Sequence, residues 1–336
     1  MIEYFGKETV MESFIFATNA TLPIVIVVLI GYFIKRMGLF KPDAAKVVNN
    51  IVFRVLLPAM LFLNIYKIDD LGSIRLGYVW YVVGITVLLF FIFLPIVKLI
   101  FKQKNQRGVI LQSVFRSNYA LIGIPLATSL CGDEGAAIAS LLSAFTIPVF
   151  NILSVISLCI FSDECKPDFK KILINIAKNP LICGVMAGLA ALGVRAIFVR
   201  CGIEFRLTEI TPVFSALTYL SNAATPMALL ALGAQFEFSA VAALKKQIGF
   251  VIAFRSVLIP SIVLAAAYFM GVFNGAHFAT FVAAFTTPVA VSIVPMAQEM
   301  GADHALAGQL VVWTTVISAV VIFLASFVLK ALGVFG

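Results

Sequence analysis

Long apolar runs separated by short polar breaks dominate this chain. Read as helices, they predict ten spans at roughly 15–34, 45–66, 76–101, 108–131, 135–161, 172–198, 209–234, 247–271, 276–300 and 304–333. Each approaches or exceeds the ~20 apolar residues that cross a ~30 Å hydrocarbon core. No break exceeds twelve residues, SDECKPDFKK at residues 162–171 included, so each is too short for a separate folded domain. The expectation is an all-α membrane protein of ten transmembrane helices.

One apolar run is anomalous. FRSNYALIGIPLA, residues 115–127, places Arg116, Ser117, Asn118, Gly123 and Pro125 inside span 4. Shifted by 170 residues it falls without a gap on FTTPVAVSIVPMA, residues 285–297, in span 9. Phe115 meets Phe285, Ser117 meets Thr287, and Ile124-Pro125-Leu126-Ala127 meets Val294-Pro295-Met296-Ala297. A second pair aligns Pro58 of span 2 with Pro226 of span 7. Residues 1–161 and 162–336 therefore read as two copies of a five-helix unit. An odd number of crossings makes the second copy inverted, the pattern of secondary transporters.

A proline lacks an N–H and clashes with the preceding turn, so Pro125 and Pro295 are expected to break spans 4 and 9. Gly123 allows close backbone approach there. Broken backbone in lipid must line a cavity inside protein. Half-helices that start at such a crossing present free N–H groups and partial positive charge to an anion.

Composition agrees with a lipid-embedded chain. Hydrophobic residues make up 62% and charged residues 12%, and the mean hydropathy is +1.09. That is too little charge to cover a soluble surface of this size. The net charge of +8 does not indicate nucleic acid, because the basic residues cluster in the breaks and form no basic face. It orients the chain instead. Breaks after odd-numbered spans hold fourteen Lys and Arg, and the other side holds seven. That bias puts both termini outside and residues 162–171 in the cytoplasm, in a plasma (inner) membrane. The acidic N-terminal stretch MIEYFGKETVMESF lacks the basic start of a signal peptide and reads as an amphipathic lead-in.

Several chemistries are excluded. The five cysteines have no zinc or disulfide spacing, and His277 and His304 are too few and too far apart for a metal site. No His-Glu-x-x-His pattern or nucleophile–base set points to an enzyme, no nucleotide-binding loop points to an ATP-driven pump, and no cofactor is called for.

The candidate substrate-binding residues are Asn118, Arg116, Gly123, Pro125, Pro295, Ser292 and Asn151. Arg116 either pairs with a substrate carboxylate or snorkels to the cytoplasmic end. Arg255 of span 8, close to Lys246, is expected to snorkel. Arg54 has no sequence partner. Glu299, Gln298 and Thr287 are candidates for coupling to an ion, a proton or sodium. Thr286 and Thr287 serve a ligand or glue helices equally well. Asn49, Asn50, Asn64 and Asn222 are expected to pack.

At these residues the chain resembles the auxin efflux carrier family, the plant PIN carriers and their bacterial relatives. RSNYALIGIP and SIVPMAQEMG resemble the family's two crossover stretches. KNPLICGVMAGL (178–189), MALLALGAQF (227–236) and GYFIKRMGLFKPDAAKVVNNIVFRVLLPAMLF resemble its sixth helix, its seventh helix and its first hairpin. The resemblance implies a ten-helix homodimer that carries auxin-like acids or small carboxylates such as malonate and malate. Spans 1, 2, 6 and 7 would form a scaffold. Spans 3–5 and 8–10 would form a core that moves past it as an elevator, with Asn118 on the substrate. Two departures stand out: no long loop separates spans 5 and 6, and span 3 lacks the plant Asp–Lys pair. The alternatives are a sodium-coupled symporter of the bile-acid type and a membrane sensor that does not transport.

Overall fold

A computed structural model describes residues 7–40, 42–67, 76–162, 174, 178, 180–234 and 244–335. Its described helices are α1 (Lys7–Arg36), α2 (Pro42–Ile51), α3 (Leu57–Tyr66), α4 (Gly77–Ile100), α5 (Lys104–Phe115), α6 (Ile124–Ile160), α7 (Pro180–Arg200), α8 (Thr211–Ala234), α9 (Lys245–Val251), α10 (Ile259–Met270), α11 (Gly275–Phe285), α12 (Ile293–Glu299) and α13 (His304–Ala331). Among the described residues the only β-type pairing is a single bridge.

Seven of the described helical runs are long and apolar enough to cross a membrane, and Val52–Tyr66 and Gly275–Phe285 are shorter apolar helices. Their outer faces carry large apolar side chains such as Trp80, Phe91, Ile262 and Phe269. Such exposure suits lipid and not water. Tyr119–Ile160 covers 42 residues, about 63 Å if straight. It is not straight. Cys131 and Gly132 leave helical geometry, with Gly132 at φ 57°, a value glycine takes without steric cost. The arm 124–130 is thereby folded back at the start of the arm 133–160, where a Cβ at Gly135 would lie 2.2 Å from the Ala127 carbonyl oxygen.

Three π turns share one cause. They span Val52–Leu56, Tyr119–Gly123 and Ile252–Leu258, and each is followed by a helix with proline at its second residue. The N–H of the residue before that proline donates five residues back: Leu57 to Val52, Ile124 to Tyr119 and Ile259 to Phe254. A proline ring collides with the carbonyl four residues upstream. The wider turn moves that carbonyl aside and the helix continues. Pro125 therefore does not break its helix, contrary to expectation.

Two helix pairs form the tightest frame. In α1 and α8, a Cβ at Gly31 would lie 2.2 Å from the Leu230 carbonyl oxygen, and one at Gly233 would lie 1.9 Å from that of Val28. The backbones touch, as small residues permit within membranes. The helices α3 and α7 meet in the same way, across Gly184 and Pro58. The Nδ2 of Asn64 donates to Ser140 Oγ at 3.0 Å, joining α3 to α6, while Asn50 and Asn222 are exposed and the side chain of Asn49 lies outside the described ones. Cys159 is disulfide-bonded, a bond the cysteine spacing did not predict.

Candidate functional site

The helices α5 and α11 end at Phe115 and Phe285, the two residues superposed by the 170-residue shift. They have 12 and 11 residues, about 16–18 Å each, or about half of a bilayer core. Beyond Phe115 the backbone becomes extended at Arg116, and beyond Phe285 the chain leaves the helix after Thr286; between the two breaks, Ser117 forms an antiparallel bridge with Val289. The N–H of Asn118 donates to the Pro288 carbonyl at 2.8 Å. Two interrupted helices thus cross at their breaks.

The breaks lie at 116–118 and 286–292, not at Pro125 and Pro295. Pro125 sits in the first turn of α6 and Pro295 lies within α12. The second break has its own proline. Pro288 donates no N–H and disfavours helical geometry at Thr287, and the Thr-Thr-Pro run at 286–288 was the missed signal. In the first break, serine and asparagine offer the backbone local alternatives to a helix.

Buried backbone must find partners, and at this crossing it does. The carbonyl of Val282 accepts from the Thr286 N–H and hydroxyl, and that of Ala283 from the Thr287 hydroxyl. The carbonyls of Ala284 and Thr287 accept from Arg255, and that of Pro288 from Asn118. The Val289 N–H donates to Thr314 Oγ1 of α13 at 3.1 Å. In the first break, the Asn118 carbonyl accepts from the N–H groups of Ile122 and Gly123.

Arg116 is the electrostatic centre. It follows the last residue of α5 and is 6% exposed, so it does not snorkel. Its Nη2 donates to Asn151 Oδ1 and to Ser292 Oγ, both at 2.9 Å, and its Nη1 reaches Met296 Sδ at 2.9 Å. The guanidinium ties α5 to the long arm of α6, to the residue opening α12 and to α12 itself. All three partners are neutral.

The structure thus brings together Arg116, Asn151 and Ser292. Asn118, two residues after Arg116 in sequence, is 4% exposed, with no hydrogen-bond partner for Nδ2. The Ser117 hydroxyl is likewise buried and unpartnered. Gly123 packs against α11, where an added Cβ would come within 3.0 Å of the Ala283 carbonyl oxygen. Gln298 is exposed, and the side chains of Pro295 and Glu299 lie outside the described ones. Thr287 is buried, with its hydroxyl on Ala283 and its carbonyl on Arg255. Arg54 is exposed in the first π turn. Arg255 contradicts expectation: it is fully buried.

A cavity of about 180 Å³ adjoins the crossing. Ile122 and Pro288 form its inner wall, Val28 and Leu29 of α1 one side, and Thr315 and Ile322 of α13 another.

A match to the family described as "Membrane transport protein" spans residues 16–326. The chain belongs to that family, the family of the auxin efflux carriers. Three relatives sharpen the placement. An "Uncharacterized transporter" of Methanocaldococcus jannaschii is 31% identical over 224 residues, 64% of this chain and 67% of that protein. Another of Methanothermobacter thermautotrophicus is 23% identical over 332 residues, 94% of this chain and 99% of its own length. A "Putative malonate transporter" of Rhizobium meliloti is 23% identical over 307 residues, covering 90% and 92%. The chain is therefore a membrane transporter of the auxin efflux carrier family, with several helices fit to span a bilayer.

Proposed function

We propose that this transporter is a secondary carrier of small organic anions, carboxylates of the malonate or malate kind or auxin-like acids. The observation that carries the reading is Arg116. A full positive charge lies about 18 Å along α5 from its start, with only neutral hydrogen-bond partners among the described residues. Such a charge is costly away from water unless an anion joins it. The unpartnered amide of Asn118 supplies a donor to the same anion. The name of the Rhizobium meliloti relative points to the same substrate class.

The chain is read as ten spans in two inverted five-helix repeats. The half-length α5 and α11, ending 170 residues apart, support this. The close pairs α1–α8 and α3–α7 support a scaffold made by spans 1, 2, 6 and 7. The remaining spans carry the crossing and move as the elevator core. Purified protein should be stabilised against heat by malonate, by malate or by an aromatic monocarboxylate, because ligands that bind the native state raise apparent stability. Liposomes holding the protein should take up the carboxylate that stabilises it in a saturable way. A protein stabilised by none of them across pH would overturn the reading.

Both termini are proposed to face outside the plasma membrane, which places Cys201 outside as well. Cys201 is a free, exposed thiol. In a Cys131→Ser, Cys183→Ser background, a membrane-impermeant maleimide should label Cys201 in intact cells. Labelling only after permeabilisation reverses the orientation. A homodimer through the scaffold is proposed because an elevator core needs a fixed frame. Native mass spectrometry should then show twice the 36.3 kDa chain mass, and a monomer in every mild detergent would refute it.

A further inference from the structure

Arg255 is the largest fully buried side chain among the described residues, with 0% exposure. It sits in the π turn Ile252–Leu258, between α9 and α10. Its Nη2 donates to the Ala284 carbonyl at 3.0 Å and to the Thr287 carbonyl at 2.9 Å. Its Nε and Nη1 have no partner, and no carboxylate of the described residues pairs with it.

Those two carbonyls have a definite electrostatic character. That of Ala284 belongs to the last turn of α11, and that of Thr287 lies just beyond it. A helix C-terminus carries about half a negative charge. In transporters with interrupted helices, unwound carbonyls and half-helix C-terminal ends are the ligands that coordinate a coupling cation. Here a guanidinium already holds them. It is covalently attached, it cannot dissociate, and it stays charged. A metal ion on the same oxygens would meet a like charge at contact distance.

We infer that Arg255 is a built-in cation of the second crossing, filling the carbonyl site that a coupling metal ion would need, so that the carrier works without sodium at this position. Arg255 is in this sense a positioning residue: it acts on the substrate site by fixing the turn from α11 to Pro288, whose carbonyl binds the Asn118 N–H. Only the transport arm of the test below rests on the reading of the chain as an anion carrier; the thermal arm does not.

The experiment uses the full chain, purified and in liposomes. Wild-type melting temperature should be equal in sodium chloride and in N-methyl-D-glucamine chloride, and so should initial rates of malonate uptake. Arg255→Ala should melt at a lower temperature. Methylguanidinium at millimolar concentration should raise that temperature in the variant, increasingly with concentration as mass action requires, and leave wild type unmoved. Arg255→Lys, which keeps a charge but not the planar fork, should melt between the two. Sodium-stimulated uptake or sodium-dependent stability in wild type would overturn the inference. So would an Arg255→Ala protein as stable as wild type, or one indifferent to methylguanidinium. If Arg255→Ala fails to fold, the sodium comparison in wild type and the Arg255→Lys melting temperature decide alone. If the thermal results hold while malonate is not transported in any buffer, the substrate assignment fails and the role of Arg255 stands.

Discussion

Arg116→Ala is expected to raise the KM for malonate uptake by at least about 30-fold, with the protein still folded. The size follows from what is removed. A charged group that meets a charged ligand out of water loses about 2–5 kcal/mol when truncated, at least about 30-fold in affinity. Stability responds differently. Arg116 has no carboxylate partner among the described residues, only Asn151, Ser292 and Met296. Removing a buried charge without an ion partner relieves desolvation as well as losing hydrogen bonds, and the two effects oppose. Arg116→Lys keeps the charge but cannot reach both Asn151 and Ser292 with one planar fork. It is expected to bind malonate with intermediate affinity. Asn151→Ala leaves the guanidinium two of its three partners and should cost less than either. Uptake assays and melting curves on the three variants check the order. An Arg116→Ala protein with wild-type KM would show that the anion binds elsewhere.

The sequence carried the transmembrane character plainly, because lipid demands it in composition, and it carried the superposition of Phe115 on Phe285, where two helices end. It misplaced the breaks for a physical reason. A proline signals a missing N–H and a steric clash, and both can be absorbed by a π turn, as ahead of Pro58, Pro125 and Pro260. Nothing in composition announces a hydrogen bond reaching five residues back. Arg255 was misread through sequence distance. It lies only nine residues from Lys246, but α9 starts at Lys245, and each helical residue carries the chain about 1.5 Å deeper. The meeting of Arg116 with Asn151 and Ser292 was not readable as a contact. Those partners stand 35 and 176 residues away, and no periodicity links residues from three separate elements. The bridge between Ser117 and Val289 is one residue pair long, too short to leave any alternation.

Asn118→Ala is expected to weaken malonate binding by about 10- to 150-fold and to leave the protein as stable as wild type or more so. The two halves of this expectation come from different atoms of one residue. The backbone of Asn118 is fully engaged: its N–H on Pro288, its carbonyl on the N–H groups of Ile122 and Gly123. Alanine keeps all three bonds, so the crossing survives. The side chain is another matter. Asn118 is 4% exposed and its Nδ2 has no partner. A buried donor left unpaired costs about 1–3 kcal/mol, so its removal relieves a penalty in the empty protein. With a carboxylate present the same donor gains a charge-assisted hydrogen bond, worth about 1.5–3 kcal/mol. A substrate carboxylate would relieve the cost of that unpaired donor, the trade expected of a binding group. A residue that merely packed the crossing would behave in the opposite way, losing stability on truncation and leaving affinity alone. Asn222→Ala, exposed on α8, is the control and should change neither quantity. Melting curves with and without malonate separate the cases. A destabilised Asn118→Ala protein with wild-type malonate affinity would make this asparagine a structural strut, and the anion would then rest on Arg116 without it.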